Sequence, residues 1–361
     1  MELKTNYQYT YFIHPFIVKE NRYQKYLLKL LKDKKCNIKI FKKEKDLKLY
    51  KYFLPEIRKF LFSSFDFTPN KLKELEKLPI ETQSALLSRY PCTMFEYVLE
   101  KDIQGKTGEE KGIFFGIRKL EIICFNTGIC FLCIKTNIEN TNRFDDLLNF
   151  NYKFRDIKQQ FQLSSFDKIR IQTDAFEDVK SFTDFIGQIT GANLEAAKYD
   201  IDTERFLSYS YACIEQDYWN EYRKFENIEH NFIKFTNIMP ASNIASFIKD
   251  ESVIISEWKY AKLGLTKQGI TLFSSATEMN NYTILPEEFE TQYFYTYILN
   301  LYKKIYLKKL GFEFSNSKNV KKARKKFIEF TKKIWIQEIT EDEAGTIINH
   351  RLNEVLELDS L

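Results

Sequence analysis

Eight consecutive residues, Asn149-Phe150-Asn151-Tyr152-Lys153-Phe154-Arg155-Asp156, combine the side-chain types that hold an anionic, ring-bearing ligand. Asn149, Asn151, Lys153 and Arg155 alternate with Phe150, Tyr152 and Phe154. In an extended segment that alternation puts amides and cations on one side and aromatic rings on the other. A guanidinium chelates phosphate through two parallel N–H donors, and a purine stacks on Tyr or Phe. Arg155 could equally be structural, paired with Asp145 or Asp156. A second candidate is 264–269, Gly-Leu-Thr-Lys-Gln-Gly, a short loop with glycine at both ends and Thr266 and Lys267 between them. The candidate ligand site is therefore Arg155, Asn151, Lys153 and Tyr152 with Thr266 and Lys267. No catalytic residue is assigned.

Other motifs fail on spacing or context. Gly105-Lys106-Thr107 ends like a phosphate-binding P-loop, but Glu100 stands where that motif needs its first glycine. His14, His230 and His350 are scattered, and no nucleophile elbow or H-E-x-x-H accompanies them. A Ser/His/Asp set with partners distant in sequence stays open. Cys130 and Cys133 lie in a strand pattern that points their thiols to opposite faces, so core packing is expected in place of zinc binding. Asp145-Asp146 and Glu287-Glu288 read as solvated turns or helix starts, the second pair in a first turn where the helix dipole favours acids. The run 317–326, SKNVKKARKK, is the strongest charge feature. It reads as a solvated helix face; a nucleic-acid stripe is the rival, weakened by the lack of aromatic residues on the charged side.

With Lys+Arg 55 against Asp+Glu 50, the net charge of +5 is too near balance to argue for nucleic acid. Thirty-three Phe and twenty-two Tyr beside many Lys, Ile and Asn fit the codon bias of an AT-rich genome. Six Cys without a secretory leader lead to the expectation of reduced thiols in a cytosolic setting. No window reaches the roughly 18 apolar residues that span a bilayer, so the chain itself is expected to be soluble.

The elements that must position these residues begin with a strand over 7–18, interrupted near His14-Pro15. A helix over 23–34 and a strand over 37–41 come next. Residues 47–62 and 71–87 are helical, the latter broken at Pro79, and 102–112 is a polar loop. Two apolar, β-branched runs, 117–125 and 129–135, flank Asn126-Thr127-Gly128 and read as a tight hairpin in mid-sheet. Beyond it come a strand over 168–173, helices over 175–190 and much of 204–228, and strands over 253–258 and 269–274 joined by 259–268. Helices cover 287–310, with Gly311 as the stop, and 318–337. Thr340 and Glu343 form a capping box. The helix this opens carries its apolar period through Leu358 to Leu361 with no stop signal, which predicts a helix interrupted in mid-course. The fold class is α/β: a mixed sheet flanked by helices over 1–275, then a C-terminal helical stalk region over 276–361 leading to a membrane segment.

Several blocks together resemble the cytoplasmic part of CorA-like divalent-cation transporters, and more narrowly the subgroup encoded beside type III CRISPR systems. They are the hairpin around Asn126-Thr127-Gly128, NFNYKFRDI from Asn149, LGLTKQGITL from Leu263, YFYTYILNLYKKIYLKKL from Tyr293 and KKFIEFTKKIWIQEIT from Lys325. The resemblance spans about residues 114–361. It implies a ring, a pentamer in the family, on the cytoplasmic face of the bacterial inner membrane, joined to it by a segment absent from this chain. It also implies a membrane effector gated by the nucleotide messenger SAM-AMP, with Mg2+ as a possible ion and Arg155, Asn151 and Lys267 at the messenger site. The family's Gly-Met-Asn pore motif is missing, and Glu278-Met279-Asn280 is no substitute because no apolar helix precedes it. The alternatives are an enzyme that cleaves a nucleotide messenger and a regulatory domain of a general CorA-like Mg2+ transporter. Nucleic acid is the disfavoured partner.

Overall fold

Apolar side chains spaced two apart build an eleven-stranded sheet with helices on both faces. The computed structural model describes residues 2–99, 103–107, 112–156, 170–172, 186–187, 189–191, 196–202, 204–242, 252–316, 320–336 and 338–361. The strands are β1 Thr5–Ile17, β2 Cys36–Ile38, β3 Cys92–Tyr97, β4 Ile103–Thr107, β5 Ile113–Phe125, β6 Ile129–Ile138, β7 Arg170–Gln172, β8 Leu207–Ile214, β9 Val253–Trp258, β10 Ala261–Thr266 and β11 Gly269–Ser275. Their order is β2-β3-β5-β6-β1-β8-β11-β10-β9, with β4 paired to the first half of β5 and to β7. Only the β8–β11 pairing is parallel, which makes the sheet mixed.

One face carries Tyr9, Tyr11, Phe131, Tyr209 and Leu263, and the other Phe12, Leu132, Ile134 and Phe273. Cys130 and Cys133 fall on opposite faces, as their spacing requires. The second face is covered by α1 Tyr23–Lys32, then α6 Phe144–Phe154 and α7 Glu229–Thr236; between α1 and α6 lie α2 Leu47–Tyr52, α3 Pro55–Leu61, α4 Pro69–Lys77 and α5 Ile80–Leu87. The first face is covered by α3 and by the C-terminal helices α8 Phe294–Asn316, α9 Val320–Lys333 and α10 Glu343–Val355.

A π-helical turn, Phe289–Tyr293, leads into α8. It is pinned to the sheet by Glu290, which accepts from Lys135 Nζ at 2.6 Å and from the Tyr11 hydroxyl at 2.6 Å. Nearby, Lys39 and Lys119 flank the buried Glu121, and Lys39 also donates to the Tyr295 hydroxyl at 2.8 Å. Burial alone would raise Glu121, but these two cations hold it below the ordinary carboxylate value. Among the described residues no helix is long and apolar enough to cross a membrane.

The hairpin, the break at Pro79 and the α/β class with its helical C-terminal region stand as expected; Gly128 has φ +83, the conformation that selects glycine. Several elements differ. β1 runs unbroken through His14-Pro15, because pairing with β8 has ended at Ile13 and proline is tolerated beside a vacated edge. The 47–62 helix divides at Pro55, and the 37–41 strand shortens to β2. Within 102–112, β4 forms a strand because the long β5 offers it a free edge. Helical period over 204–228 yields to β8, which is buried between β1 and β11. Residues 259–268 form a turn at Lys259 and Tyr260, then β10, then a second turn of Lys267 and Gln268. The strand expected over 168–173 is described as β7, and most of 175–190 lies outside the described residues. The long helix passes Gly311 and ends at Asn316. Asp342, not a Thr340 box, caps α10 by accepting from Gly345 N at 2.8 Å. That last helix stops at Val355: Glu357 turns left-handed (φ 57), and Leu358 packs into the core.

Candidate functional site

The alternating segment around Arg155 is helical, not extended, so its side chains follow a helical face. Asn151 faces the sheet, buried, with its Oδ1 accepting from Thr10 Oγ1 at 3.0 Å and its Nδ2 donating to Ser210 Oγ at 3.3 Å. Phe150 and Phe154 join it in the core. Tyr152 and Lys153 face outward. The aromatic residues that looked like a stacking surface are therefore mostly core, and Tyr152 alone remains exposed among them.

Arg155 follows the last turn of α6, where the chain is stitched to the entrance of β8. Its carbonyl accepts from Phe206 N at 2.8 Å, and the next residue, Asp156, pairs with Arg205 at 3.2 Å. Its Nη1 donates to Gln268 Oε1 at 2.6 Å across 113 residues of sequence. Gln268 is placed by the tight β10–β11 turn, in which its N donates to Thr266 Oγ1 at 3.3 Å and its carbonyl accepts from Ser208 N at 3.1 Å. Gly269 is needed there: a Cβ would collide with the Ser208 carbonyl of the adjoining parallel strand.

At this end of the sheet, helices from both layers reach past the strands. A cavity of 210 Å3 opens between them, apolar on Phe206, Leu301 and Ile305. Five cations line it, Arg155, Arg205, Lys267, Lys304 and Lys308, against two acids, Asp200 and Asp202. Three cations have counter-ions: Arg205 with Asp156, Lys267 with Glu357 at 2.6 Å, and Lys308 with Asp200 at 3.0 Å. The other two have no ion pair among the described residues. Arg155 is 8% exposed; among the described residues its side chain bonds only the neutral Gln268, and its Nε is buried with no partner. Lys304 has no ion pair among the described residues.

Burial pushes the Arg155 pKa down, and the neighbouring Arg205 adds to the effect. Burial also depresses Lys304, helped by Lys308 and Lys267. Both shifts have the same physical cause, positive charge held near positive charge in a partly dry space, and both would be relieved by an anion.

A second cavity of 490 Å3 lies beyond the Arg155–Gln268 contact and shares Arg155, Lys267 and Gln268 with the first. Tyr152, Thr266, Ile238, Met239, Val253 and Val355 line it with Glu354 and Glu357.

Of the residues expected from sequence, the fold brings Arg155, Tyr152, Thr266 and Lys267 together. It turns Asn151 into the core, and Lys153 is not among the cavity linings. Sequence reasoning missed Arg205, Lys304 and Lys308. Arg205 lay in an expected helix, and the two lysines sat in a stretch read for its apolar face, so only the meeting of two layers reveals them. Among the described residues no three His, Cys, Asp or Glu side chains gather as a metal site. No protein-family model, curated protein or solved structure matches this chain.

Proposed function

We propose that this chain is a ligand-sensing domain whose basic cavity takes a small phosphorylated ligand. The observation that carries the reading is that two cations, Arg155 and Lys304, meet at one cavity and neither forms an ion pair among the described residues. A phosphoryl group supplies that charge and accepts from a guanidinium in bidentate fashion.

The CorA-like resemblance supplies the wider reading: a nucleotide messenger of the SAM-AMP kind as ligand, and a ring-forming membrane effector in type III CRISPR defence as the whole protein. One contact supports coupling of that sort. Lys267, on the wall of the cavity, is ion-paired to Glu357 just after the last C-terminal helix, so occupancy and the position of that segment bear on each other.

The test is titration calorimetry with SAM-AMP. Wild type should bind, and Arg155→Ala should weaken binding by about tenfold to a hundredfold, the range for a hydrogen bond to a charged group, with the circular dichroism spectrum unchanged. Equal affinities would remove the site. Appearance of cleavage products on incubation would favour the enzyme alternative.

A further inference from the structure

We propose that the larger cavity is a second subsite for the same ligand and takes a flat, uncharged ring system borne on the phosphoryl group. The ligand class is then a phosphorylated, nucleoside-like molecule, in preference to an inorganic anion or an acidic peptide. The inference rests on the anion-binding reading of the smaller cavity.

Charge assigns the two halves. In the smaller cavity Arg155 and Lys304 have no ion pair among the described residues, and Asp202 is the one lining acid not already paired with another cation, so positive charge stays in excess. In the larger one the acids already have mates, Glu357 in Lys267 and Glu354 in Arg351 at 2.9 Å. No net charge is left there to recruit a charged group, apart from Arg155 on the shared wall. The rest of that lining is uncharged: Ile238, Met239, Val253 and Val355 give it an apolar part beside the exposed ring of Tyr152, and Asn237, Thr266 and Gln268 add neutral polar groups of the kind that pair with a base edge. That ring lies 5.9 Å from the Arg155 guanidinium, so one ligand can stack on Tyr152 while its phosphoryl group reaches Arg155.

Backbone strain marks the same wall. Ile238 is β-branched and buried, yet it adopts φ 53, a region that glycine or asparagine ordinarily fills at a helix end. The turn brings both Ile238 and the soft, adaptable Met239 to the cavity after α7. Strain of this kind gathers at ligand sites, where the surroundings over-determine the backbone. The volumes agree: 210 Å3 suits a phosphoryl group, while 490 Å3 falls within the roughly 300–1,000 Å3 range of small-molecule sites.

Calorimetry with ADP and pyrophosphate, which share a diphosphate and differ in the nucleoside, tests the proposal. ADP should bind wild type about tenfold or more tightly than pyrophosphate, as expected for one stacked base. Tyr152→Ala should erase most of that advantage and leave pyrophosphate unchanged, and Tyr152→Phe should restore it. Pyrophosphate and ADP binding wild type equally, or Tyr152→Ala weakening both alike, would overturn the second subsite while leaving the anion site standing. Pyrophosphate binding that is absent, or indifferent to Arg155→Ala, would bring down the anion reading itself and the subsite with it.

Discussion

Acid should destabilise this protein through one identifiable side chain, His14. It sits in the middle of β1, 3% exposed, with its ring 6.4 Å from that of Phe16 and 5.9 Å from that of Phe206. Its Nδ1 is buried with no partner among the described residues. Burial lowers its pKa from 6.5 to about 4, with Asp202 pulling weakly the other way. The unfolded chain therefore takes up a proton before the folded one does. Stability is flat above pH 6.5, falls as pH drops from 6.5 to 4, and flattens again below. Integrated between pH 8 and pH 4.5, this one group removes about 2–3 kcal/mol, a large share of an ordinary domain's stability. Urea unfolding of wild type and His14→Leu at the two pH values isolates it, because carboxylate contributions cancel in the difference. The difference should move by about 2–3 kcal/mol in favour of His14→Leu at pH 4.5. An identical difference at both pH values would refute the reasoning.

The remaining predictions concern the cavity walls. Glu357→Gln frees Lys267, so pyrophosphate affinity measured by calorimetry should rise about twofold to fivefold, the modest scale of an exposed ion pair. Gly269→Ala should cost about 3 kcal/mol in denaturant unfolding, because the added methyl meets the backbone of Ser208 and neither strand can move aside. Leu358→Ala should cost about 2–3 kcal/mol, since Leu358 is 2% exposed in the same core as α8; a change under about 0.5 kcal/mol would mean that the terminal segment is not packed as described.

Local chemistry in the sequence was enough to determine the hairpin at Asn126-Thr127-Gly128, the break at Pro79, the two-faced strands and the buried face of α1, whereas α8, read for one apolar face, is buried nearly all round as far as Leu310. Each depends on neighbours a few residues apart: a positive φ, a missing amide, a period of two or of 3.6. Tertiary pairing decided what local pattern left open. Leu207–Ile214 became a central strand because β1 and β11 offered edges on both sides, and Ile103–Thr107 because β5 is longer than β3. Arg155 and Lys267 were visible as residue types, and their meeting through Gln268 spans 113 positions. Lys304 and Lys308 carry no local signal at all. They are the half-buried edge of an otherwise buried helix, and they become a site only where that helix meets the end of α6 at the cavity. The gathering of five cations from separate elements around one cavity is a property of three-dimensional proximity, and no periodicity along the chain encodes it.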